Sequence, residues 1–142
     1  MEYLFNLEYQ EIDEHCPPKD YLGTSITSYR WVFDTIENPL NFTPQYFKDP
    51  KRFNSKDDIT KCIAMSLSLW NSEEASISRF NYLKSSFLGP RVYKVLGTNL
   101  AIGHLSKSDG VNSKVEDNGH FSHHQGESTD YPKIFKILKE LK

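Results

Sequence analysis

Residues 62–70 read Cys-Ile-Ala-Met-Ser-Leu-Ser-Leu-Trp, and this stretch gives the chain its clearest structural signal. Large apolar side chains occupy positions 63, 65, 67 and 69, and small or polar ones alternate with them. Because the side chains of a strand point alternately to its two faces, the pattern predicts a β-strand over 62–70 with one face on the core.

A helix is predicted directly after this strand, over 72–87. Asn71 is placed to cap its N-terminus, and Glu74 stands where a capping box requires an acidic residue. Gly89 and Pro90 then end the helix, since glycine favours the C-terminal turn and proline cannot continue it. A strand that runs into a helix is therefore the expected framework of the domain.

Periodicity elsewhere in the chain supplies the remaining elements. Alternating aromatic residues predict a strand over 24–33, and an apolar run predicts another over 100–105. Residues 120–124 are predicted to form a further strand, antiparallel to that over 100–105. Residues 131–141 carry apolar side chains at helical spacing opposite lysines, which predicts a C-terminal helix. The uneven mixture predicts one α+β domain over 1–142. We expect an antiparallel or mixed sheet of about four or five strands with at least two packed helices.

Composition and charge limit the classes of function. Aromatic residues make up 13% of the chain and compensate for a hydrophobic fraction of only 37%, which favours a folded core over disorder. The chain has 17 basic and 19 acidic residues and a net charge of −2, which disfavours a nucleic-acid partner. No segment has the length of a membrane span, and the first residues lack the features of a signal peptide, so no membrane association is expected.

Cys16 and Cys62 are the two cysteines of the chain. They could form one disulfide, but their spacing gives no indication of it. We expect both to be reduced thiols, as is typical of an intracellular protein, and therefore predict a cytoplasmic location.

The favoured functional interpretation is a domain that binds a small molecule or a protein partner. The aromatic segment 38–53 is broken by three prolines and is expected to fold over the core as one wall of the site. The strand 120–124 is the other wall, because two of its histidines share the face opposite Phe121, the expected core residue. The candidate ligand-binding residues are His104, His120, His124 and Gln125.

Metal-dependent chemistry at the histidines is a further interpretation. The imidazoles of His104, His120 and His124, together with Glu127, could ligate zinc and leave one coordination position open. The histidine run contains neither the His-x-x-x-His spacing of a helical zinc site nor a Cys-x-x-Cys pair. Alternation along a strand places at most two of its histidines on one face, and we therefore expect no metal.

The alternative interpretation is an enzyme. Arg30 lies on a predicted strand, Ser66 and Ser68 lie on the strand that leads into a helix, and Gln125-Gly126-Glu127 follows late in the chain. This order resembles the Arg-Ser-Glu class of ADP-ribosyltransferases. The resemblance implies that Arg30 contacts a phosphate of NAD, that the two serines shape the nicotinamide pocket, and that Glu127 is the catalytic carboxylate. A carboxylate there would stabilise oxocarbenium character as the nicotinamide–ribose bond breaks. The sequence identifies no cofactor other than this NAD.

Overall fold

A six-stranded antiparallel sheet organises the chain in the computed structural model, which describes residues 1–142. The strands are β1 (Ile26–Val32), β2 (Leu67–Trp70), β3 (Asn99–Leu105), β4 (Gly110–Asn112), β5 (His120–Gln125) and β6 (Phe135–Glu140). Their order across the sheet is β4-β5-β2-β1-β3-β6. The α+β class is as the sequence predicts, with slightly more strands than expected.

Helices and helical turns lie between the strands. The α-helices are α1 (Asn6–Tyr9), α2 (Gln45–Lys48), α3 (Asp58–Ala64), α4 (Glu73–Leu83), α5 (Val92–Val95) and α6 (Tyr131–Ile134). A π-helical turn (Lys84–Leu88) extends α4, and 3-10 turns occupy Pro39–Phe42, Pro50–Phe53 and Gly89–Arg91. The predicted helix over 72–87 is thus present as α4 and its extension. No helix has the length and apolar character needed to cross a membrane.

The main core lies on one face of the sheet. Leu67 and Leu69 of β2 are fully buried there, as their alternation predicts, and Phe121 of β5 lies beside them. Phe42 and Tyr131 close the core from outside the sheet. Their ring centroids are 5.8 Å apart, within the range of favourable aromatic contacts. Segment 38–53 therefore folds over the core through its 3-10 and α-helical turns, as expected.

The second face of the sheet carries α4. Trp31 and Trp70 pack side by side with ring centroids 5.5 Å apart, and the buried Phe80 of α4 contacts Trp31 edge-on. The Trp31 indole N–H donates a hydrogen bond to the Ser76 carbonyl at 3.1 Å. This bond satisfies the only polar atom that the indole would otherwise bury, and it fixes α4 relative to β1.

The sheet is nearly divided between β1 and β2. These two strands share one register pair, Tyr29 opposite Trp70, whereas β1 and β3 pair along their full length from Ile26–Leu105 to Val32–Asn99. The three strands β4, β5 and β2 thus form one half of the sheet, and β1, β3 and β6 form the other. Beyond the single pair, the gap between the halves is bridged by side chains.

The strand predicted over 62–70 is correct only for its last four residues. Residues 58–64 form α3, whose N-terminus is capped by the Asp57 side chain accepting from the Thr60 N–H at 2.8 Å. Ile63 is 44% exposed, so the apolar alternation does not mark a single buried face before Leu67. The capping aspartate Asp57 favours a helix, although the apolar residues that follow alternate as they would in a strand.

The C-terminal helix predicted over 131–141 is also wrong. Only one turn, α6, is helical, and the chain then continues as β6 along the free edge of β3. Phe135 lies opposite Gly103 and is 2% exposed, and Ile137 packs against the core. The backbone N–H and C=O groups of β6 form their hydrogen bonds with the edge of β3. In the predicted helix, with the same spacing of apolar residues, these groups would have bonded to one another within the helix.

Two further expectations are corrected. Cys16 and Cys62 form a disulfide, so neither is a free thiol. The strand predicted over 120–124 is present as β5, but its partners are β2 and β4 and not β3. Both corrections concern contacts between segments far apart in sequence, which local patterns do not encode.

The cap of α4 gives a direct test of the fold. Ser72, and not Asn71, caps this helix: its Oγ accepts from the Ala75 N–H at 3.1 Å. Replacement of Ser72 by alanine should lower the free energy of unfolding by about 1 kcal/mol, measured by urea denaturation. The matched control Asn71→Ala should cost much less, because that exposed side chain makes no capping bond. Equal losses in the two variants would contradict the cap.

Candidate functional site: a cationic cleft beside the division of the sheet

A cleft of about 380 Å³ opens where β1 and β2 separate. One wall is formed by α2 and the residues after it, and another by the π-helical turn and α5. The polar side chains that line it are Arg30, Gln45, Lys48, Arg52, Ser66 and Ser68. Three of these six are cationic, and no acidic side chain lines the cleft.

Arg30 lies at the base of this cleft. Its Nε donates to the Asn41 carbonyl at 2.6 Å, and its Nη1 donates to the Ser68 carbonyl at 2.9 Å. The guanidinium therefore joins β1 both to β2 and to segment 38–53. Burial lowers the pKa of Arg30 to about 10, which leaves it charged at neutral pH. Its charge is not neutralised, because no carboxylate forms a salt bridge with it.

Lys48 and Arg52 add two further charges to the cleft. Lys48 is half-buried at the end of α2, and Arg52 is exposed, with its guanidinium 5.4 Å from the centre of the Phe53 ring. Neither forms a salt bridge. Burial, together with the charge of Arg30, lowers the pKa of Lys48 to about 8. A bound anion would reverse this effect, since it favours the protonated amine.

Arg52 also lines a neighbouring recess. A smaller cleft of about 250 Å³ shares Gln45, Arg52, Ser66 and Ser68 with the first and adds Thr60 and Ile63, again without an acidic residue. The chain as a whole is slightly negative. The concentration of unpaired cations in one concave site is therefore a local feature that the overall composition conceals.

The remaining side of the cleft is apolar. Leu83, Phe87 and Val95 line it together with Trp31. Phe87 is 68% exposed and Val95 is 42% exposed, although both are large hydrophobic residues. Exposed apolar residues beside convergent polar groups are typical of ligand sites.

The structure brings together three of the four predicted catalytic residues. Arg30, Ser66 and Ser68 all line the cationic cleft. Ser66 is buried and its Oγ donates to the Ile63 carbonyl at 2.6 Å, whereas Ser68 is exposed to the cleft. The arginine and the two serines of the Arg-Ser-Glu pattern therefore lie in one cleft.

Glu127 lies elsewhere. It lines a separate cleft of about 540 Å³, in which the charged residues are Glu37, Glu127 and Asp130 and no cation is present. Gln125 borders the same cleft. Its side chain is 1% exposed, its Nε2 donates to the Phe42 carbonyl at 3.2 Å, and its Oε1 has no hydrogen-bond partner. Segment 38–53 and β5 thus meet here, but no histidine contributes.

The predicted histidine cluster is dispersed. His104 is exposed and hydrogen-bonds the hydroxyls of Ser25 and Thr27. His120 packs against Trp70 and lies 3.4 Å from the carboxylate of Glu116. His124, expected to share an exposed face with His120, is fully buried. These histidines do not combine into a set of metal ligands with one another or with Glu127.

Two adjacent histidines are instead part of the interior. His123 is 1% exposed and bonds the Asn112 side chain at 2.6 Å and the Tyr131 hydroxyl at 2.7 Å. His124 Nε2 lies 2.9 Å from the Cys62 carbonyl. Burial lowers the pKa of His123 to about 3 and that of His124 to about 4. Both imidazoles are therefore neutral at physiological pH.

Sequence reasoning missed Lys48 and Arg52. Both lie in segment 38–53, four residues apart, among its prolines and aromatic residues. The signal was present but ambiguous, because isolated basic residues in a polar segment are usually solvated surface charges.

Comparison of the chain with protein families, with curated protein sequences and with solved structures found no match. The function therefore has to be argued from the geometry of the site.

The interior histidines lead to a prediction for acid solution. In the folded protein, the imidazole Cε1 proton signals of His123 and His124 should keep their neutral positions down to about pH 5, whereas histidines of the unfolded chain titrate near pH 6.5. Proton NMR during a pH titration measures this, with the protein in urea as the control.

The same shifts fix the sign of the effect on stability. Because the folded pKa values lie below the unfolded value, the unfolded state binds protons first, and stability should fall as the pH falls below about 6.5. Titration of both imidazoles near pH 6.5 in the native protein would contradict their burial.

Proposed function

We propose that this protein binds a phosphate ester that carries an apolar or aromatic group, in the cleft formed around Arg30, Lys48 and Arg52. The observation that supports the proposal is the presence of three unpaired cations and no acid in one concave site. Like charges repel one another, and a bound multivalent anion relieves the repulsion. This proposal is a more specific form of the ligand-binding domain expected from the sequence. Segment 38–53 is still one wall of the site, but the other wall is formed by β1 and β2 and not by the histidine strand.

Phosphate fits the polar half of the cleft better than a singly charged anion does. A phosphate monoester carries close to two negative charges at neutral pH and several acceptor oxygens. Guanidinium groups recognise such oxygens through directed N–H donors, and lysine contributes a compact charge. Ser68 and Gln45 add neutral hydrogen-bonding groups at the same site.

The apolar half of the cleft accounts for the organic part of the ligand. Phe87 and Val95 expose apolar surface directly beside the cations, and Trp31 lies at the junction. Burial of an apolar group against them would contribute about 25 cal/mol per Å² removed from water. Inorganic phosphate would not use this contribution and should therefore bind more weakly than its aryl ester.

NAD belongs to the same chemical class of ligand, so the ADP-ribosyltransferase interpretation shares the binding half of this proposal. Its catalytic half depends on Glu127, which lines a different cleft from Arg30. The geometry thus favours binding over nicotinamide transfer at this site. A cytoplasmic location also stays a prediction, and the disulfide is the feature that argues against a reducing compartment.

Phenyl phosphate tests the proposal, because it combines a phosphate with an aromatic ring. At constant ionic strength it should raise the melting temperature and give a measurable heat of binding, since a ligand that binds only the native state stabilises it. Inorganic phosphate should bind more weakly and phenol should have no effect. NAD in a parallel titration shows whether a dinucleotide is accepted.

Two substitutions locate the binding site. Lys48→Gln and Arg52→Gln should each weaken phenyl phosphate binding about tenfold, the equivalent of one charged hydrogen bond. The control Lys51→Gln removes an exposed charge of the same segment that does not line the cleft, and should leave the affinity unchanged. Equal losses in all three variants, or none in any, would refute the assignment.

The pH dependence gives an independent check. Because the free Lys48 has a pKa of about 8, the affinity should fall as the pH rises through about 8, where the phosphate ester is already fully charged. Binding should be accompanied by proton uptake, measurable by calorimetry in buffers of different ionisation enthalpy. Lys48→Arg should flatten the profile, since arginine stays charged across this range.

A further inference from the structure

A second group of chemically active side chains lies away from the cationic cleft. The Sγ atoms of Cys16 and Cys62 and a ring nitrogen of His124 lie within 4.8 Å of one another. His124 Nε2 is 3.7 Å from the Cys62 sulfur and 3.9 Å from the Cys16 sulfur. The group joins three segments remote in sequence: the loop before two prolines, helix α3 and strand β5.

The histidine of this group is surrounded by buried side chains. His124 is fully buried, its ring contacts those of Tyr9 and Tyr21 at centroid distances of 5.5 Å, and Nδ1 has no hydrogen-bond partner. A buried ring nitrogen without a partner is uncommon in proteins. Burial keeps this imidazole neutral, which is the form that ligates metals.

The spacing of the donors fits a tetrahedral zinc ion. With Zn–S bonds of about 2.3 Å and a Zn–N bond of about 2.05 Å, sulfur and nitrogen ligands lie about 3.6 Å apart, and two sulfur ligands about 3.8 Å apart. The two observed sulfur–nitrogen distances are close to the first value. The sulfur atoms, however, are joined covalently in the disulfide and would have to separate.

We propose that reduction of the Cys16–Cys62 disulfide creates a zinc site in which both thiolates and His124 are ligands. A dithiol reductant breaks the sulfur–sulfur bond, supplies two electrons and two protons, and is itself oxidised to a cyclic disulfide. In the oxidised protein Nε2 carries the ring proton and donates it to the Cys62 carbonyl. On binding, zinc displaces the two thiol protons to solvent, the ring proton of His124 moves to Nδ1, and the freed Nε2 lone pair and both sulfurs bind the metal. The disulfide and the zinc site are thus alternative cross-links between the same segments.

An entry path and a fourth ligand position are available. Cys16 is only partly buried and lines an open cleft of about 440 Å³, together with Tyr9 and Tyr21. Water from this cleft can complete the coordination, as in sites that have three protein ligands. Two thiolates and one imidazole are soft to borderline donors and favour zinc over magnesium or calcium.

Cobalt(II) is the spectroscopic probe for the proposal, because thiolate-to-cobalt charge transfer gives an absorption that oxygen and nitrogen ligands do not. The protein is reduced with dithiothreitol, freed of reductant without air, and titrated. One equivalent of cobalt should produce this absorption and one equivalent of zinc should remove it. The oxidised protein has the same sequence but an intact disulfide, and it should neither develop this absorption with cobalt nor respond to zinc.

Variants then identify the ligands. Reduced Cys16→Ser should lose most of the absorption and bind zinc at least tenfold more weakly, whereas His104→Asn, which alters a remote exposed histidine, should behave as the unsubstituted protein. Circular dichroism establishes that each reduced sample is folded. The proposal is overturned by a folded, reduced protein without charge-transfer absorption. It is equally overturned by unchanged absorption in Cys16→Ser, or by a reduced protein that is unfolded and stays so when zinc is added.

Discussion

The side chain of Arg30 is the interaction on which the arrangement of this protein depends. β1 and β2 share a single register pair, and next to it the guanidinium donates to Ser68 of β2 and to Asn41 of the covering segment. One charged group thus connects the two halves of the sheet and the segment that closes the core. Hydrogen bonds from a charged donor are stronger than neutral ones, which suits a position where the backbone ladder is interrupted.

The same group determines the electrostatics of the neighbouring cleft. A guanidinium whose bonds go to carbonyl oxygens satisfies its donors but retains its charge. Lys48, held close to it by α2, therefore experiences both burial and repulsion, and its pKa falls to about 8. The structural role of Arg30 and the positive charge of the cleft have one origin: the absence of a carboxylate among its partners.

Sequence patterns predicted the parts of the fold that local chemistry determines. Strands β1, β3 and β5 and helix α4 lie where periodicity placed them, because each buries a face that its own residues define. The patterns failed where a distant partner decides the outcome. Residues 135–140 have helical spacing, yet the free edge of β3 recruits them as a strand. His124 alternates with polar neighbours, yet the disulfide and α3 cover it.

The candidate site shows the same division between local and distant information. The sequence places Arg30 and Ser68 on strands, and the adjacency of those strands at the centre of the sheet brings both residues and Ser66 to one cleft. The sequence order could not place Glu127. Its position is set by the turn after β5, where the Glu127 N–H donates to the Glu2 carbonyl of the N-terminal segment. Helix α3 connects the two sites of the molecule: Cys62 fixes it to Cys16, and two residues after its end Ser66 enters the cationic cleft. The cross-link at Cys62 therefore also restrains the wall against which an anion would bind.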